Sequence, residues 1–243
     1  MRRLAWVPAL IAIVAAWQAW IDLRDVPDYV APAPSDIARA LWDERSTFAS
    51  EGLVTLREML VGFAAAVAGG LAAAILLHRI RWLRGAVYPL LVASQSIPVV
   101  AIAPLLVIGL GFGLAPKVLI VALVCFLPVT VSALDGFASA PADLRRTMRT
   151  LNASPRAIFW RVELPWAAPR IFSGARIAAA YAAVAALFAE YAGGSGGLAD
   201  SMHDQLDTGL VGAAVVMLAA LALALFGAVV LLERVALPWA REG

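Results

Sequence analysis

Six long apolar runs constrain this chain more than any other feature. They cover residues 4–21, 53–77, 87–110, 117–137, 171–191 and 209–232. The shortest, at 18 residues, gives about 27 Å of α-helix, just enough for a hydrocarbon core of about 30 Å. Hydrocarbon offers no partner to a backbone N–H or C=O, so such runs cross as helices that satisfy their own hydrogen bonds. The expected fold is an all-α membrane protein with six transmembrane helices. Composition agrees: the chain is 63% apolar and 15% charged, whereas soluble domains average about 45–50% and about 25%. A cleaved signal peptide is the rival reading of residues 4–21; Trp17 and Trp20, placed for an interfacial belt, favour a retained helix.

The charges between the runs set an orientation. Arg2 and Arg3, then Arg79, Arg81 and Arg84, then six arginines in 140–171, then Arg234 and Arg241, all fall on one side of six alternating crossings. The other side, segments 22–52, 111–117 and 192–208, is mostly acidic. Arginine-rich segments stay cytoplasmic, so both termini are expected inside. The chain divides into residues 1–52, a first helix plus an exterior loop, and residues 53–243, a core of five spans. In the exterior loop, Ser35 is expected to cap a short amphipathic helix with Ile37, Ala38, Leu41 and Trp42 on one side.

The arginine-rich segment 140–171 carries two helix patterns. Pro141 suits a first turn, and Leu144, Met148 and Leu151 then recur at helical spacing, with Arg145, Arg146 and Arg149 around the other face. Asn152 suits a left-handed stop. Ser154-Pro155 reads as a cap followed by proline at the first helical position. Leu164-Pro165 is expected to end that second helix.

Polar interruptions are few. Pro89, Pro98 and Pro104 must bend or break the third run, and Ser94, Gln95 and Ser96 inside it should face protein or a wet pathway. Ala64, Ala68 and Ala72, with Gly62, Gly69 and Gly70, and later Ala178, Ala182 and Ala186, suggest close helix contacts. His78 reads as an interfacial polar residue. Arg176 is expected to snorkel, Glu190 closes the fifth run, and 193–197 reads as a flexible glycine turn. Tyr181 offers a face on which a planar ring could stack.

Several functions are disfavoured. The single cysteine, Cys125, excludes a disulfide within the chain. His78 and His203 fall on opposite faces, so no metal site is expected. No nucleophile–base set is visible, and without a Walker motif the chain cannot hydrolyse ATP by the P-loop route. Ion-driven carriers usually bury ionisable residues at mid-membrane, where these runs show almost none. A net charge of +2 gives no reason to expect nucleic acid. A passive pathway driven by another protein fits best. An ATP-independent facilitator or channel, or a membrane-embedded enzyme, stays open from these residues alone.

The segment 140–171 resembles the coupling loop of ABC-importer permeases. Their signature is E-A-A, three residues, G, nine residues, I-x-L-P. Here Asn152 stands at the glycine, Val162-Glu163-Leu164-Pro165 follows at the right distance, Arg146 replaces the glutamate and Thr147-Met148 the paired alanines. Pro34-Ser35-Asp36-Ile37, Ile97-Pro98 through Pro104-Leu105, and the Gly-x-Gly before Lys117 are similar to the same family. Within it the chain is most similar to the nitrate, taurine and alkanesulfonate branch, and there to permeases for thiamine-precursor pyrimidines. Fragments such as Val124-Cys125-Phe126 and Leu232-Glu233-Arg234 carry that likeness.

The resemblance implies a non-catalytic translocation subunit in a bacterial inner membrane. It implies pairing with a second, identical copy, two cytoplasmic ATPase subunits that hold the ATP and Mg²⁺, and an extracytoplasmic substrate-binding protein. Leu144, Met148, Leu151, Asn152, Phe159, Leu164 and Pro165 are the expected ATPase contacts, with Arg145 and Arg149 as rim charges. Ser94, Gln95, Ser96, Tyr181 and Glu190 are the expected pathway residues. The cargo is expected to be a thiamine-precursor pyrimidine, the alternatives being an alkanesulfonate, taurine or nitrate.

Overall fold

The structure, a computed structural model, describes residues 6–27, 30–94, 96–193, 196–199, 202 and 207–241. Every regular element among them is helical. In order they are α1 Trp6–Arg24, α2 Pro34–Asp43, α3 Arg45–Arg79, α4 Arg81–Ser94, α5 Val99–Leu110, α6 Leu114–Ala138, α7 Ala142–Thr150, α8 Pro155–Ile158, α9 Leu164–Gly193 and α10 Thr208–Ala236, with a last turn at Pro238–Arg241.

Among the described residues, five stretches are long and apolar enough to cross a bilayer: Val7–Arg24, Arg45–Arg79, Leu114–Ala138, Pro155–Gly193 and Thr208–Ala236. The third expected run is instead two shorter helices, α4 and α5. Of its three prolines only Pro98 coincides with the break. Pro89 and Pro104 remain inside helices, while Pro98 sits extended at the start of α5 with φ −63° and ψ 125°. A proline restricts the residue before it, and Ile97 leaves the helix in a tight turn whose N–H reaches Ser94 O at 3.2 Å.

The core is made by α3, α6 and α9. A Cβ on Gly62 would stand 2.5 Å from Val121 Cβ, and one on Gly174 would stand 2.6 Å from Pro128 O. Bare glycines therefore let these helices approach until backbone meets neighbour. Ala178, Ala182 and Ala186 lie fully inside that contact, as their spacing predicts. On α3 the expected face is corrected. Ala64, Ala68, Ala72 and Gly69 are exposed, whereas Gly62 and Gly70 are buried as expected, in one row with Ala66 and Ala74. Two residues of helix turn a side chain through about 200°, so the two rows face opposite ways.

Other expectations change with the backbone. Ser35 does not cap α2; Ala33 precedes the helix, Pro34 occupies its first position, and the Ser35 N–H donates to Gln18 Oε1 at 3.0 Å. The buried face of α2 is Ile37, Ala40 and Leu41, with Trp42 exposed and Ala38 on the outside. The boundary expected at 52/53 falls inside the unbroken α3. Leu164-Pro165 ends nothing: α8 continues through a π turn, Phe159–Glu163, into α9. There the Leu164 N–H donates to Phe159 O, five residues back, and the widened turn absorbs Pro165, which has no N–H of its own. Arg176 pairs with Glu233 of α10 at 3.2 Å rather than reaching solvent alone.

Candidate functional site

Helix α3 joins two polar sites, one within its first half and one at its C-terminal end. Glu58 and His78 are twenty residues apart along it, about 30 Å.

At the first site, four side chains from α3, α6 and α9 hold the backbone of residues 196–199. Thr55 Oγ1 donates to Glu190 Oε1 at 2.5 Å and accepts from Leu198 N–H at 3.1 Å. Glu190 Oε2 accepts from Ala199 N–H at 2.8 Å. Glu51 accepts from Gly197 N–H. Lys117 Nζ donates to Gly196 O at 2.9 Å and pairs with Glu58 Oε1 at 2.9 Å. The remaining oxygen, Glu58 Oε2, is buried with no hydrogen-bond partner among the described residues. Glycine is required at 197: its φ is +109°, and a Cβ would stand 2.2 Å from Glu190 Oε1. The turn expected to be flexible is thus fastened at 196–199; Gly194 and Ser195 lie outside the described residues.

Sequence reasoning missed most of this cluster. Lys117 was expected in an exterior segment, but α6 begins three residues earlier and buries it. Glu58 escaped notice inside an apolar run. The signal was its being the single carboxylate in 53–77.

At the second site the 140–171 segment folds back on the bundle. Asn152 has φ +58°, the left-handed stop its identity predicts. Pro141 stands one place before α7, and Ser154 Oγ accepts from Ala157 N–H at 3.2 Å, capping α8. Glu163, in the π turn, reaches His78 Nε2 at 2.9 Å and Arg145 Nη1 at 3.7 Å. The His78 ring lies 5.1 Å from Phe137, which lies 5.4 Å from Phe159. Arg79 sits over the Phe159 ring at 5.3 Å, a cation–π distance. Beside the pair is a cavity of about 760 Å³ lined in part by Arg79, Arg149, Ser154 and Arg156.

The expected docking residues divide. Leu144 is 46% and Leu151 72% exposed; Asn152, Arg149 and Pro165 are also exposed, and Met148 and Leu164 are half-buried. Phe159, expected on the docking surface, is buried between Phe137 and Trp160. Arg145 turns inward to Glu163 rather than standing at a rim. Of the pathway set, Ser94, Ser96 and Tyr181 are exposed, and Gln95 lies outside the described residues. Glu190 is buried and fully used by Thr55 and Ala199. No hydrogen bond joins it to Ser94, Ser96 or Tyr181 among the described residues.

A bundle of bilayer-length apolar helices, with a polar helical segment folded back against it, defines a multi-pass membrane protein. The chain belongs to the family described as binding-protein-dependent transport system inner membrane component, whose model matches residues 65–236. It is therefore a multi-pass inner-membrane protein, the permease of an ABC importer, and membership implies an ATPase and a substrate-binding protein as partners. It is 34% identical to a probable ABC transporter permease protein of Haemophilus influenzae, over 90% of this chain and 91% of the relative. It is 34% identical to the riboflavin transport system permease protein of Chloroflexus aurantiacus, over 98% and 93%. It is 33% identical to the formylaminopyrimidine transport permease protein of Halalkalibacterium halodurans, over 96% and 94%.

Proposed function

We propose that this chain, as one of two identical copies, forms the pathway of an importer for a thiamine-precursor pyrimidine, and that loop 140–171 is its ATPase-coupling element. The observation that carries the coupling reading is the exposed apolar edge of α7 and its cap, Leu144 and Leu151, in a segment that also carries six arginines. Apolar surface left open on so polar a loop suits a partner's groove. Arg149 flanks the contact, and Phe159 supports the loop from within. In this reading α4 and α5 cross together as one broken span, giving six crossings and both termini in the cytoplasm. Residues 1–52 are an accessory to the core 53–243, and ATP and Mg²⁺ reside on the partner.

ATP binding draws the two ATPase subunits together, and the loops carry that motion into the bundles. Ser94 and Ser96 at the break, together with Tyr181, face the pathway. Support for the cargo comes from the formylaminopyrimidine relative, and the riboflavin relative at similar identity favours planar nitrogen heterocycles more widely. Tyr181 is 52% exposed, so its ring is available for stacking.

Leu151→Asp puts a charge into the proposed groove. The permease should still insert, while co-purification of the ATPase and ATP-dependent uptake are lost; normal uptake would reject the docking assignment. Uptake of labelled formylaminopyrimidine, unaffected by excess taurine but reduced by excess riboflavin, is the result expected for the cargo class.

A further inference from the structure

We infer that the His78–Glu163 contact is the positioning element that makes the coupling loop move as one body with α3; this rests on the coupling role proposed for that loop.

Helix α7 has no buried residue. Its covalent leads are the 139–141 turn and the 151–154 turn around Asn152. Turns of this kind act as hinges, where a few residues at element ends absorb a change of φ and ψ. Only side-chain contacts can stop α7 from swinging on them when a partner pulls.

Glu163 supplies such contacts in three directions. Its Oε2 meets His78 at the end of α3. Its Oε1 meets Arg145 of α7. Its own backbone lies in the π turn that leads into α9. One carboxylate therefore joins the loop to two core helices. The His78 ring also packs against the Phe137 ring of α6, which in turn meets Phe159. Both members of the pair are largely sheltered, with side chains 16% and 13% exposed, so water competes for this hydrogen bond less than it would at the surface.

From His78, α3 runs without a break to Glu58 and Thr55, which hold residues 196–199 through Lys117 and directly. A displacement of the loop is thus delivered by a rigid helix to the opposite end of the bundle. Without the His78 contact the loop keeps its Arg145–Glu163 tie and its lead into α9, but its side-chain tie to α3 is gone and the two move apart.

The test uses the complete transporter, permease with its ATPase, in proteoliposomes, and the probe is MgATP with vanadate. Spin labels on Arg146→Cys in α7 and Leu76→Cys in α3 report the distance between loop and helix. Cys125, the chain's single cysteine, is buried and stays unlabelled. With His78 present, the distance should keep one narrow distribution through nucleotide trapping. In His78→Ala, trapping should shift or broaden it by about 5 Å, the scale of one helical turn. His78→Gln, which keeps an N–H donor for Glu163, should restore the narrow distribution. The same response with and without His78 would overturn the inference. So would loss of ATPase binding in His78→Ala, which would make the contact a requirement for the loop's fold rather than for its coupling. Leu151→Asp is the separate arm. If it still binds the ATPase, the docking reading fails and takes this inference with it; if it releases the ATPase while His78→Ala behaves as the parent, only the present inference fails.

Discussion

Lys117 Nζ lies 2.9 Å from Glu58 Oε1, with the two side chains 1% and 2% exposed. A buried pair of this kind adds little net stability, because desolvation offsets attraction, but removing one partner strands the other charge. Lys117→Met should therefore cost about 3–5 kcal/mol. Lys117→Met combined with Glu58→Gln should recover part of that loss. Thermal unfolding in detergent, followed by size exclusion, measures both; a double variant no more stable than the single one would show that the ammonium matters mainly through Gly196 O.

Thr55 is the hinge of the same cluster, as donor to Glu190 and acceptor from Leu198. Thr55→Val keeps the shape and deletes both bonds, leaving buried groups unsatisfied at about 1–3 kcal/mol. Because about 1.4 kcal/mol is a factor of ten, hydrogen exchange at the Leu198 and Ala199 amides should accelerate roughly tenfold. Amides in the middle of α6 should be unaffected.

Close approach of the core helices predicts a contrast between two glycines. Gly174→Ala would place a methyl group against the Pro128 carbonyl and Ser132. Overpacking of that sort costs about 1–3 kcal/mol. Gly85→Ala in α4 meets nothing within 4 Å and should gain up to about 1 kcal/mol from helix propensity. Melting temperature should fall for the first and hold or rise for the second.

Loop 140–171 tests its own turn. Asn152 at φ +58° occupies the place of the family glycine. Asn152→Gly should leave stability and ATPase binding near the parental values. Asn152→Val, which resists left-handed backbone, should cost about 1–2 kcal/mol and speed proteolytic cleavage near residues 149–155.

Those predictions draw unequally on the sequence. Asn152, the Ser154 cap, the Ala178–Ala182–Ala186 face and the break in the third run were all legible, because each depends on a local rule of backbone or spacing. Ala64, Ala68 and Ala72 misled for the opposite reason. A row of small residues states that a helix can be approached closely, but not which of two such rows is approached. The reading of 164–165 as a helix end failed because a local proline rule was overridden by a π turn, whose extra residue cannot be seen without the helix around it.

What the sequence determined alone is the class of molecule. Apolar runs of bilayer length and arginines in every second connecting segment follow from transfer free energies and helix geometry, which act within a few turns of chain. What the tertiary structure decided is which polar residues do work. Thr55, Glu58, Lys117 and Glu190 meet across 135 residues of chain, and His78 meets Glu163 across 85. Such pairings depend on the rotation and depth of each helix against its neighbours, which glycine-mediated contact among α3, α6 and α9 sets and no window of sequence contains.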